Sequence, residues 1–327
     1  MEVMELQAAR TPLRPSRRPA PSPGPGEVRL RVEACAVCRT DLQISSGDLP
    51  AKALPIVPGH QIVGRVMELG PGVAPELLGR RLGVGWLGSA CGSCAFCRGG
   101  QENLCRQATF TGWDRDGGFA SEVVVRADFA QPMAEAGDPV QLAPLLCGGV
   151  IGYRAFRRAE VGRGDRLGLF GFGASALLVA QLAVAAGCQL FVVSRGEEAR
   201  QRATEVGASW VGAPGEPLPA PLQGAITFAP AGAVVVDALR ALDRGGTCIV
   251  NAIHLDRLPE IPYEILYWER RLSSVANYTR QDAAEFLRLA GEIPIRTTVE
   301  QFPLDQANLA LHQLQEERLA GAAVLVP

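Results

Sequence analysis

The densest group of potential metal ligands in the chain is a run of four cysteines between residues 91 and 105, spaced C-x2-C-x2-C-x7-C. Four thiolates on one short loop can close a tetrahedron around a single zinc ion, and such a closed shell leaves no position for a substrate. The alternatives are two disulfides or four free thiols. The first residues include Glu2 and Glu5 and no long apolar stretch, so we expect no secretory signal and a cytoplasmic protein, in which clustered cysteines favour metal. The predicted ligands of this structural zinc are Cys91, Cys94, Cys97 and Cys105.

A glycine-rich turn follows an apolar, strand-like segment in the second half of the chain. The segment Leu167–Phe170 precedes Gly171-x-Gly173-x-x-Ala176, and a helix-compatible run and a second strand, Gln189–Val193, come next. Such a βαβ unit directs backbone N–H groups and a helix N-terminus at a pyrophosphate. We expect Gly171 to permit the tight turn, Gly173 to let the phosphate approach, and Ala176 to fit where helix meets strand. This context predicts a dinucleotide-binding site.

The end of the second strand carries the residues that choose between NAD and NADP. An acidic side chain there binds the ribose 2′-hydroxyl of NAD, whereas an arginine suits the 2′-phosphate of NADP. In the segment 192–198 the position of the acid is occupied by Ser194, and Arg195 follows it. We therefore expect a preference for NADP(H), with NAD(H) possible. Two alternatives stay open: Arg195 caps a solvated turn, or Glu197 binds the ribose from a displaced position.

Three further potential ligands are scattered along the chain. Cys38 follows the strand-like segment 28–32 at the start of a short helix, and His60 lies in a turn that enters another alternating strand. Cys147 lies near the junction with the glycine-rich turn. Taken separately, a cysteine is often a buried apolar residue, and a lone histidine is more often structural than a ligand. No local spacing gives these three residues a shared role.

The motifs around these residues resemble those of the zinc-dependent medium-chain alcohol dehydrogenase family. They occur in the family's order over the whole chain: Cys38-Arg-Thr-Asp41, Gly59-His60, the cysteine loop, Asp116-Gly-Gly-Phe-Ala120, Cys147 and the glycine-rich turn. The resemblance implies an α/β fold, with a GroES-like, β-rich catalytic domain and a Rossmann domain built on a doubly wound parallel sheet. We expect residues 1–148 and 278–327 to form the GroES-like domain and residues 149–277 the Rossmann domain.

The resemblance also implies a role for each residue of a second metal site. Cys38, His60 and Cys147 would hold a catalytic zinc whose fourth position stays open for water or the substrate oxygen. Thr40 would hydrogen-bond that oxygen and pass its proton outward, and Asp41 would accept a hydrogen bond from the free nitrogen of His60. A Lewis-acidic metal allows an alcohol to lose its proton near neutral pH, and hydride then moves between the carbinol carbon and the nicotinamide.

Three residues beside these ligands modify the expected site. Family members commonly carry histidine five residues after the first ligand, where it ends the proton relay, but this chain has Gln43, which cannot titrate. The residue after the ligand histidine is usually glutamate, and Gln61 in its place should make the zinc more electrophilic. Arg39, next to the first ligand, either contacts the cofactor's phosphates or is solvated.

The substrate pocket is predicted from aromatic residues. Trp86, Trp113 and Phe110 fall near loops that line the pocket in the family, so they predict an apolar, aromatic-walled site or packing against the cysteine loop. Both interpretations stay open. The other cysteines and histidines are expected to take no part in the reaction: Cys35, Cys188 and Cys248 in apolar surroundings, His254 in a loop, and His312 in a helix.

The length of the chain and the pattern of its apolar and charged residues predict the domains and strands that must position these groups. A chain of 327 residues predicts two domains. Its 34 acidic and 32 basic residues provide no basic field for nucleic acid or an anionic membrane. The uncharged run 167–194 is long enough to imitate a membrane span, but four glycines divide it into strand, helix and strand. The proline-rich segment Thr11–Gly26 enters the alternating strand Glu27–Glu33 and is expected to be ordered.

Together these features predict a zinc-dependent, NAD(P)-dependent alcohol dehydrogenase or aldehyde reductase with two zinc ions per chain. Its substrates would be small to medium apolar alcohols or aldehydes. The segment 271–277 is expected to be the last strand of the Rossmann sheet and, by analogy, the edge that pairs in a homodimer or homotetramer. The alternatives are a zinc-independent enone or quinone reductase of the same superfamily and a catalytically silent, nucleotide-binding redox sensor.

Overall fold

A computed structural model of the chain describes residues 1–252, 255–293 and 295–327. His254, expected in a loop, lies outside the described residues. The described chain forms two compact units. Unit 1 comprises Met1–Cys147, Thr279–Arg288 and Arg296–Pro327, and unit 2 comprises Gly148–Tyr278 and Leu289–Ile295. Unit 1 is therefore assembled from separate parts of the sequence.

Strands dominate the part of unit 1 that precedes unit 2. The alternating segment predicted as a strand forms the start of a longer one in which Val28, Leu30 and Val32 are buried. The proline-rich segment before it is ordered as expected, since it contains a strand and the N–H of Leu13 donates to Oδ1 of Asn308. The elements are β1 (Glu2–Glu5), β2 (Arg14–Arg17), β3 (Glu27–Ala36), α1 (Arg39–Ser46), β4 (Gln61–Leu69), β5 (Arg81–Val84), β6 (Leu87–Ser89), α2 (Ala95–Arg98), β7 (Thr109–Phe110), β8 (Glu122–Arg126), β9 (Gln131–Pro132) and α3 (Pro139–Leu142). Short 3-10 helices cover Pro75–Leu77, Glu102–Leu104, Ala127–Phe129 and Ala143–Leu146.

Unit 2 alternates strands with helices. The apolar runs predicted as buried strands are strands with nearly every residue buried, as expected for a parallel sheet covered on both faces. The elements are α4 (Gly148–Arg158), β10 (Arg166–Phe170), α5 (Ala174–Ala185), β11 (Gln189–Val193), α6 (Glu197–Val206), β12 (Trp210–Gly212), β13 (Leu222–Thr227), α7 (Gly232–Arg240), β14 (Leu242–Val250), a 3-10 helix (Tyr263–Ile265) and β15 (Arg271–Ser274).

The remaining chain belongs to unit 1 except for Leu289–Ile295, which is part of unit 2. It contains α8 (Arg280–Glu292), β16 (Val299–Pro303), a 3-10 helix (Leu304–Gln306), α9 (Ala307–Gln315) and β17 (Ala322–Val326). His312 lies in α9, the helix predicted for it. β17 pairs antiparallel with β3 and so joins the C-terminal part to the sheet built by the first part.

Each unit has its own sheet. In unit 1 the strand order is β16-β17-β3-β4-β5-β9, with β8 also paired to β3. In unit 2 the six strands are all parallel in the order β12-β11-β10-β13-β14-β15. This confirms the predicted fold class and the expected position of the last strand, because β15 lies at the sheet edge. Among the described residues, no helix combines the length and the apolar character needed to cross a membrane.

The two faces of the unit 2 sheet carry separate apolar cores because side chains alternate along each strand. Leu167, Leu169 and Ile226 pack with helix α5 on one face. Phe170 and Ala225 pack with helix α7 on the other face. The sheet is thereby held between two helical layers, and its strand ends are left to form loops.

Candidate active site

Cys38 is held at the N-terminus of α1 by an aspartate of the same helix. Cys38 occupies the cap position before Arg39, with extended backbone angles. Its N–H donates to Oδ2 of Asp41, the third helical residue, at 2.8 Å. A carboxylate that reaches back to the cap residue in this way satisfies one of the free N–H groups at a helix start. The motif Cys38–Asp41 therefore fixes the position of the Cys38 backbone locally.

A glycine turn brings His60 against the same carboxylate. Gly59 has φ +98°, and a Cβ there would lie 2.8 Å from the backbone nitrogen of Phe119, so a side chain does not fit. Nδ1 of His60 lies 3.0 Å from Oδ1 of Asp41, which also accepts the N–H of Gly59 at 3.1 Å. Because Nδ1 is engaged by Asp41, Nε2 of His60 is the nitrogen left to face a metal ion.

Cys147 completes a group of three potential ligands in unit 1. It directly follows the 3-10 helix Ala143–Leu146, and its Sγ lies 4.0 Å from Sγ of Cys38. One ligand atom from each of Cys38, His60 and Cys147 lies within 4.8 Å of the other two. Two sulfur ligands of a tetrahedral zinc ion, each at about 2.3 Å, lie about 3.8 Å apart. The donor set and its spacing fit a zinc ion that keeps one position free.

The charges of this trio are coupled. A hydrogen bond with Cys147 holds the pKa of the Cys38 thiol well below its ordinary value of 9.0, with help from His60 and against the effect of burial. The same contact raises the pKa of Cys147 well above 9.0, and burial adds to it. Burial opposes a charged imidazole, but Asp41 and Cys38 outweigh it and raise the pKa of His60 from 6.5 to about 10. The surroundings of Cys38 therefore favour its thiolate, the form of cysteine that coordinates metal.

Thr40 and Gln43 follow Cys38 along α1. Oγ1 of Thr40 lies 3.7 Å from Sγ of Cys38, and the residue is buried. Gln43 is three residues further along the helix and therefore on the same side. Its Oε1 is buried and has no hydrogen-bond partner within the described parts of the chain. The structure thus places a hydroxyl beside Cys38 and a buried amide oxygen on the same side of α1.

Gln61 and Arg39 have partners of their own. Nε2 of Gln61 donates to the backbone oxygen of Ala36 at 3.4 Å. Nη2 of Arg39 lies 3.1 Å from Oε1 of Glu317, and both side chains are more than half exposed. An exposed ion pair contributes only about 0–1 kcal/mol. Arg39 can therefore leave Glu317 for a stronger anion, and its contact with cofactor phosphate stays a prediction.

Trp86, Phe110 and Trp113 form one aromatic stack beside His60. The Trp86 ring meets the His60 ring edge-on at 4.9 Å and stacks on Phe110 at 5.2 Å and on Trp113 at 6.0 Å, measured between ring centres. Nζ of Lys52, the single lysine of the chain, lies 4.2 Å from the centre of the Trp113 ring. All three rings are half-buried. The stack therefore forms an apolar wall next to a predicted metal ligand.

The four-cysteine loop forms a second cluster in unit 1. One sulfur from each cysteine lies within 4.8 Å of the others, and Cys91 and Cys97 are 3.9 Å apart. Backbone N–H groups of Ser93 and Cys94 point at Sγ of Cys91 and lower its pKa to about 6. Four soft donors at these distances fit a closed, structural zinc site. Within the described residues, these four cysteines and the trio are the two groups that could hold a metal ion.

Glu102, inside this loop, is a buried residue that sequence reasoning missed. Its Oε1 accepts the backbone N–H of Arg280 at 3.0 Å and Nε of Arg280 at 3.2 Å. Burial alone would raise the pKa of Glu102, but the hydrogen bonds from Arg280 hold it below the ordinary value of 4.5. The two residues are 178 positions apart, so no local pattern could have linked them. The cysteine loop is thereby attached to the start of α8.

The remaining cysteines are buried in apolar surroundings, as expected. Burial raises the pKa of the Cys35, Cys188 and Cys248 thiols, in the last case to about 12. A neutral, buried thiol is a poor nucleophile. All nine cysteines of the chain lie in its described parts, and none forms a disulfide there.

In unit 2 the glycine-rich turn has the predicted geometry. Gly171 has φ +91°, and a Cβ there would lie 2.9 Å from the backbone nitrogen of Ala229. Gly173 caps α5, and a Cβ there would meet only open space. Ala176 is fully buried in the core between α5 and the sheet. The strand order changes direction between β10 and β13, which is where open α/β sheets bind ligands.

Two arginines, rather than one, lie close to the end of β11: Arg195 just after the strand and Arg200 on α6. Ser194 is buried and Arg195 is exposed. Nη1 of Arg200 donates to the backbone oxygens of both Ser194 and Arg195 at 2.8 Å. Sequence reasoning missed Arg200 because it lies on α6, beyond the strand end at which the cofactor rule looks.

Known proteins resemble this chain over its full length. A family model for the alcohol dehydrogenase GroES-like domain matches residues 24–135. A Mycobacterium tuberculosis protein named "Probable alcohol dehydrogenase AdhA" is 45% identical over 312 residues, which cover 94% of this chain and 90% of that protein. An alcohol dehydrogenase of Geobacillus stearothermophilus is 31% identical over 99% of both chains. A solved structure of a cinnamyl alcohol dehydrogenase from Sorghum bicolor matches with a TM-score of 0.91 at 27% identity, covering 99% of this chain and 97% of that one.

Proposed function

Because the chain belongs to the zinc-dependent medium-chain alcohol dehydrogenase family and is an alcohol dehydrogenase, we propose that it moves hydride between NADP(H) and small to medium apolar alcohols or aldehydes. The observation that carries this proposal is the convergence of Cys38, His60 and Cys147 within 4.8 Å. Three ligands leave the open position that a catalytic zinc requires. These residues come from three distant parts of the sequence, so their meeting is not a local accident.

Each residue of the site has a proposed task. Zinc would supply Lewis-acid stabilisation of negative charge on the substrate oxygen, and the nicotinamide would exchange the hydride. Asp41 accepts a hydrogen bond from Nδ1–H of His60 and so favours the tautomer with Nε2 free. Thr40 holds its hydroxyl beside Cys38, where it can take the proton of a substrate hydroxyl and pass it on. The amide of Gln43 can accept a hydrogen bond but cannot carry that proton, so water or a cofactor hydroxyl would have to remove it.

The aromatic stack supports the proposed substrate class. Trp86 lies against His60, and Phe110 and Trp113 extend the same apolar surface. A wall of this kind favours apolar carbon chains or rings, and Lys52, which lies over the Trp113 ring, is paired with Asp114. We therefore assign Trp86 and Trp113 to the substrate side of the site.

The two arginines at the end of β11 support the preference for NADP(H). A 2′-phosphate needs positive charge, and Arg195 is exposed beside the buried Ser194. Arg200 holds both backbone carbonyls and adds a second guanidinium. Arg195→Ala should weaken NADPH binding about tenfold and leave NADH binding nearly unchanged. Arg202→Ala is the control for a lost positive charge, because Arg202 lies on α6 together with Arg200. An equal loss of affinity for NADPH and NADH in Arg195→Ala would refute the 2′-phosphate role.

The edge of the unit 2 sheet supports a homodimer, or a homotetramer built from it. β15 is the last strand of the sheet, and a sheet edge of this kind can pair with that of a second copy. Tyr263, Tyr267 and Trp268 are exposed shortly before it, as is common at interfaces. A solution mass of one chain, 34.7 kDa, would refute the proposed homodimer or homotetramer.

A cytoplasmic location fits the reduced cysteines that both proposed zinc sites require.

The decisive experiment measures zinc content and turnover on the same purified sample. We expect about two zinc ions per chain and oxidation of apolar alcohols that is lost with the zinc of the trio. A zinc-independent enone or quinone reductase, or a silent nucleotide-binding sensor, would hold zinc only in the four-cysteine loop. One zinc per chain, removed by Cys94→Ser and unaffected by Cys38→Ser, would therefore refute the proposed function.

A further inference from the structure

Unit 2 contains buried polar atoms that have no hydrogen-bond partner within the described chain. They are Oγ1 of Thr227, Oγ1 of Thr247, Oδ1 of Asn251 and Nδ2 of Asn277. Folded proteins pair nearly all buried polar atoms, so each such atom calls for a reason, and a bound ligand is one. Three of the four lie at or just beyond the last residues of β13, β14 and β15. The unpaired atoms thus concentrate at the carboxyl edge of the parallel sheet.

Thr227 lies at the position in this edge where a ligand is expected. It is the last residue of β13, the strand next to the change in strand order. The N–H of Phe228, the next residue, donates to the backbone oxygen of Phe170 at 2.8 Å. Gly171 follows Phe170 and approaches Ala229 so closely that a Cβ would not fit. Thr227 is therefore directly beside the glycine-rich turn.

Asn251 is bound to Thr227 through the backbone. Its N–H donates to the backbone oxygen of Thr227 at 2.9 Å, which extends the pairing of β13 and β14 by one residue. A hydroxyl that can donate or accept and an amide oxygen that accepts are thus held on adjacent strand ends. Thr227 is fully buried, so no bulk water replaces the missing partner.

We propose that Thr227 and Asn251 hydrogen-bond the nicotinamide-ribose half of the dinucleotide. This rests on the proposed function, which supplies the cofactor. The glycine-rich turn and the N-terminus of α5 take the pyrophosphate, and the end of β11 takes the adenosine side. The strand ends on the opposite side of the change in strand order then face the other half. That half carries ribose hydroxyls and a carboxamide, which offer both donors and acceptors to the two side chains.

Thr247 provides a matched control. It is the same residue type in the same sheet, nearly as buried, and equally unpaired among the described residues. It lies within β14 in register with Gly224, three residues before the end of the strand. Threonine to valine conserves shape and β propensity while removing the hydroxyl. Thr227→Val and Thr247→Val should therefore both fold, with melting temperatures equal to or above that of the wild type, because each loses an unpaired buried hydroxyl.

The test is equilibrium binding to the intact protein, with no turnover required. NADPH is compared with adenosine 2′,5′-bisphosphate, which lacks the nicotinamide half, and NADH with ADP if NADH is the better ligand. We expect Thr227→Val and Asn251→Ala each to weaken dinucleotide binding by about threefold to tenfold, the range of one hydrogen bond. Neither change should affect the nicotinamide-free probe, and Thr247→Val should change neither ligand.

The outcomes separate the two proposals. A wild-type protein that binds neither dinucleotide would overturn the proposed function and this inference with it. Wild-type binding of the dinucleotide that is unchanged in Thr227→Val and Asn251→Ala would overturn the inference alone. An equal loss for the dinucleotide and the nicotinamide-free probe would also overturn it, because the variants would then distort the whole edge. So would a fall of several degrees in the melting temperature of Thr227→Val, which would show that the hydroxyl is already bonded in the free protein.

Discussion

The two groups of potential metal ligands in unit 1 have similar distances between their ligand atoms, but one comes from a single loop and the other from distant parts of the sequence. The loop Cys91–Cys105 brings four sulfurs together within fifteen residues on a half-exposed loop. The trio Cys38, His60 and Cys147 takes its members from a helix start, a glycine turn and the end of a 3-10 helix, and His60 is almost fully buried. The loop has four donors and no open position, whereas the trio has three donors and a hydroxyl beside them.

The difference in the number of donors and in their origin indicates which of the two groups can take part in a reaction. A closed set of four sulfurs holds a loop in shape, and Glu102 attaches that loop to α8. The trio has no local stability of its own, because the fold must bring its members together. It therefore depends on a supporting residue, Asp41, which binds the Cys38 backbone, the Gly59 backbone and the His60 ring at once. Dependence on distant parts and supporting residues is typical of an active site.

The largest expected effect is that of Cys38→Ser. Loss of the catalytic ion should lower alcohol oxidation about a thousandfold or more. Dinucleotide binding should stay within about twofold, because unit 2 contains its own turn and strand ends. Steady-state kinetics and cofactor titration measure the two effects. Cys188→Ser is the control, since Cys188 lies in unit 2 and its Sγ donates to the backbone oxygen of Gly162 at 3.3 Å. Near wild-type turnover in Cys38→Ser would show that the reaction needs no zinc at the trio.

Cys94→Ser should act on stability rather than on the reaction. Loss of the loop's ion should lower the free energy of unfolding by about 3 kcal/mol, as expected for a lost structural metal. At temperatures at which Cys94→Ser is still folded, its rate of alcohol oxidation should fall far less than that of Cys38→Ser. Thermal unfolding and zinc analysis provide the readouts. If Cys94→Ser kept two zinc ions and full stability, the loop would not be a structural metal site.

Asp41→Asn tests the support of the trio. It removes the charge that orients His60, and the loss of such an outer partner costs about tenfold to a hundredfold in metal affinity or activity. Asp282→Asn is the matched control, because Asp282 caps α8 in the same way, through the N–H of Thr279 at 2.8 Å. We expect the control to lower the melting temperature and leave kcat/KM unchanged. If Asp41→Asn and Asp282→Asn had equal kcat/KM, Asp41 would act only as a helix cap and not as a support of the metal ligands.

The smallest expected effect is the pH-dependent one of Glu102→Gln. The folded pKa of Glu102 lies below 4.5, so its charge stabilises the fold fully above the unfolded value and loses this effect as the pH falls through the folded value. The stability gap between wild type and variant should therefore be present at pH 7 and close in acid. Urea unfolding at several pH values measures it, and Glu316→Gln, an exposed carboxyl, should show no gap. A gap that persists unchanged at low pH would contradict the electrostatic role.

Local patterns were sufficient for most of the fold. The alternation in β3, the apolar runs of β10 and β11, and the glycines of the turn were readable because each depends on neighbours within a few residues. Glu102, Arg200 and Thr227 were not readable. The partner of Glu102 lies 178 residues away, and the hydroxyl of Thr227 has no partner in the described chain. Arg200 lies only five and six residues from the carbonyls that it binds, but it is on the following helix, where the cofactor rule does not look.

The sequence by itself determined the donors: four clustered cysteines, a glycine-rich turn between two strands, and three isolated ligand residues in the order of a known family. Only the tertiary structure decided that Cys38, His60 and Cys147 meet within 4.8 Å, that Asp41 binds two of them, and that unpaired polar atoms gather at one sheet edge. The physical reason is that residue type is a local property of the chain. The distance between residues far apart in sequence is set by how sheets and helices bury their apolar faces together.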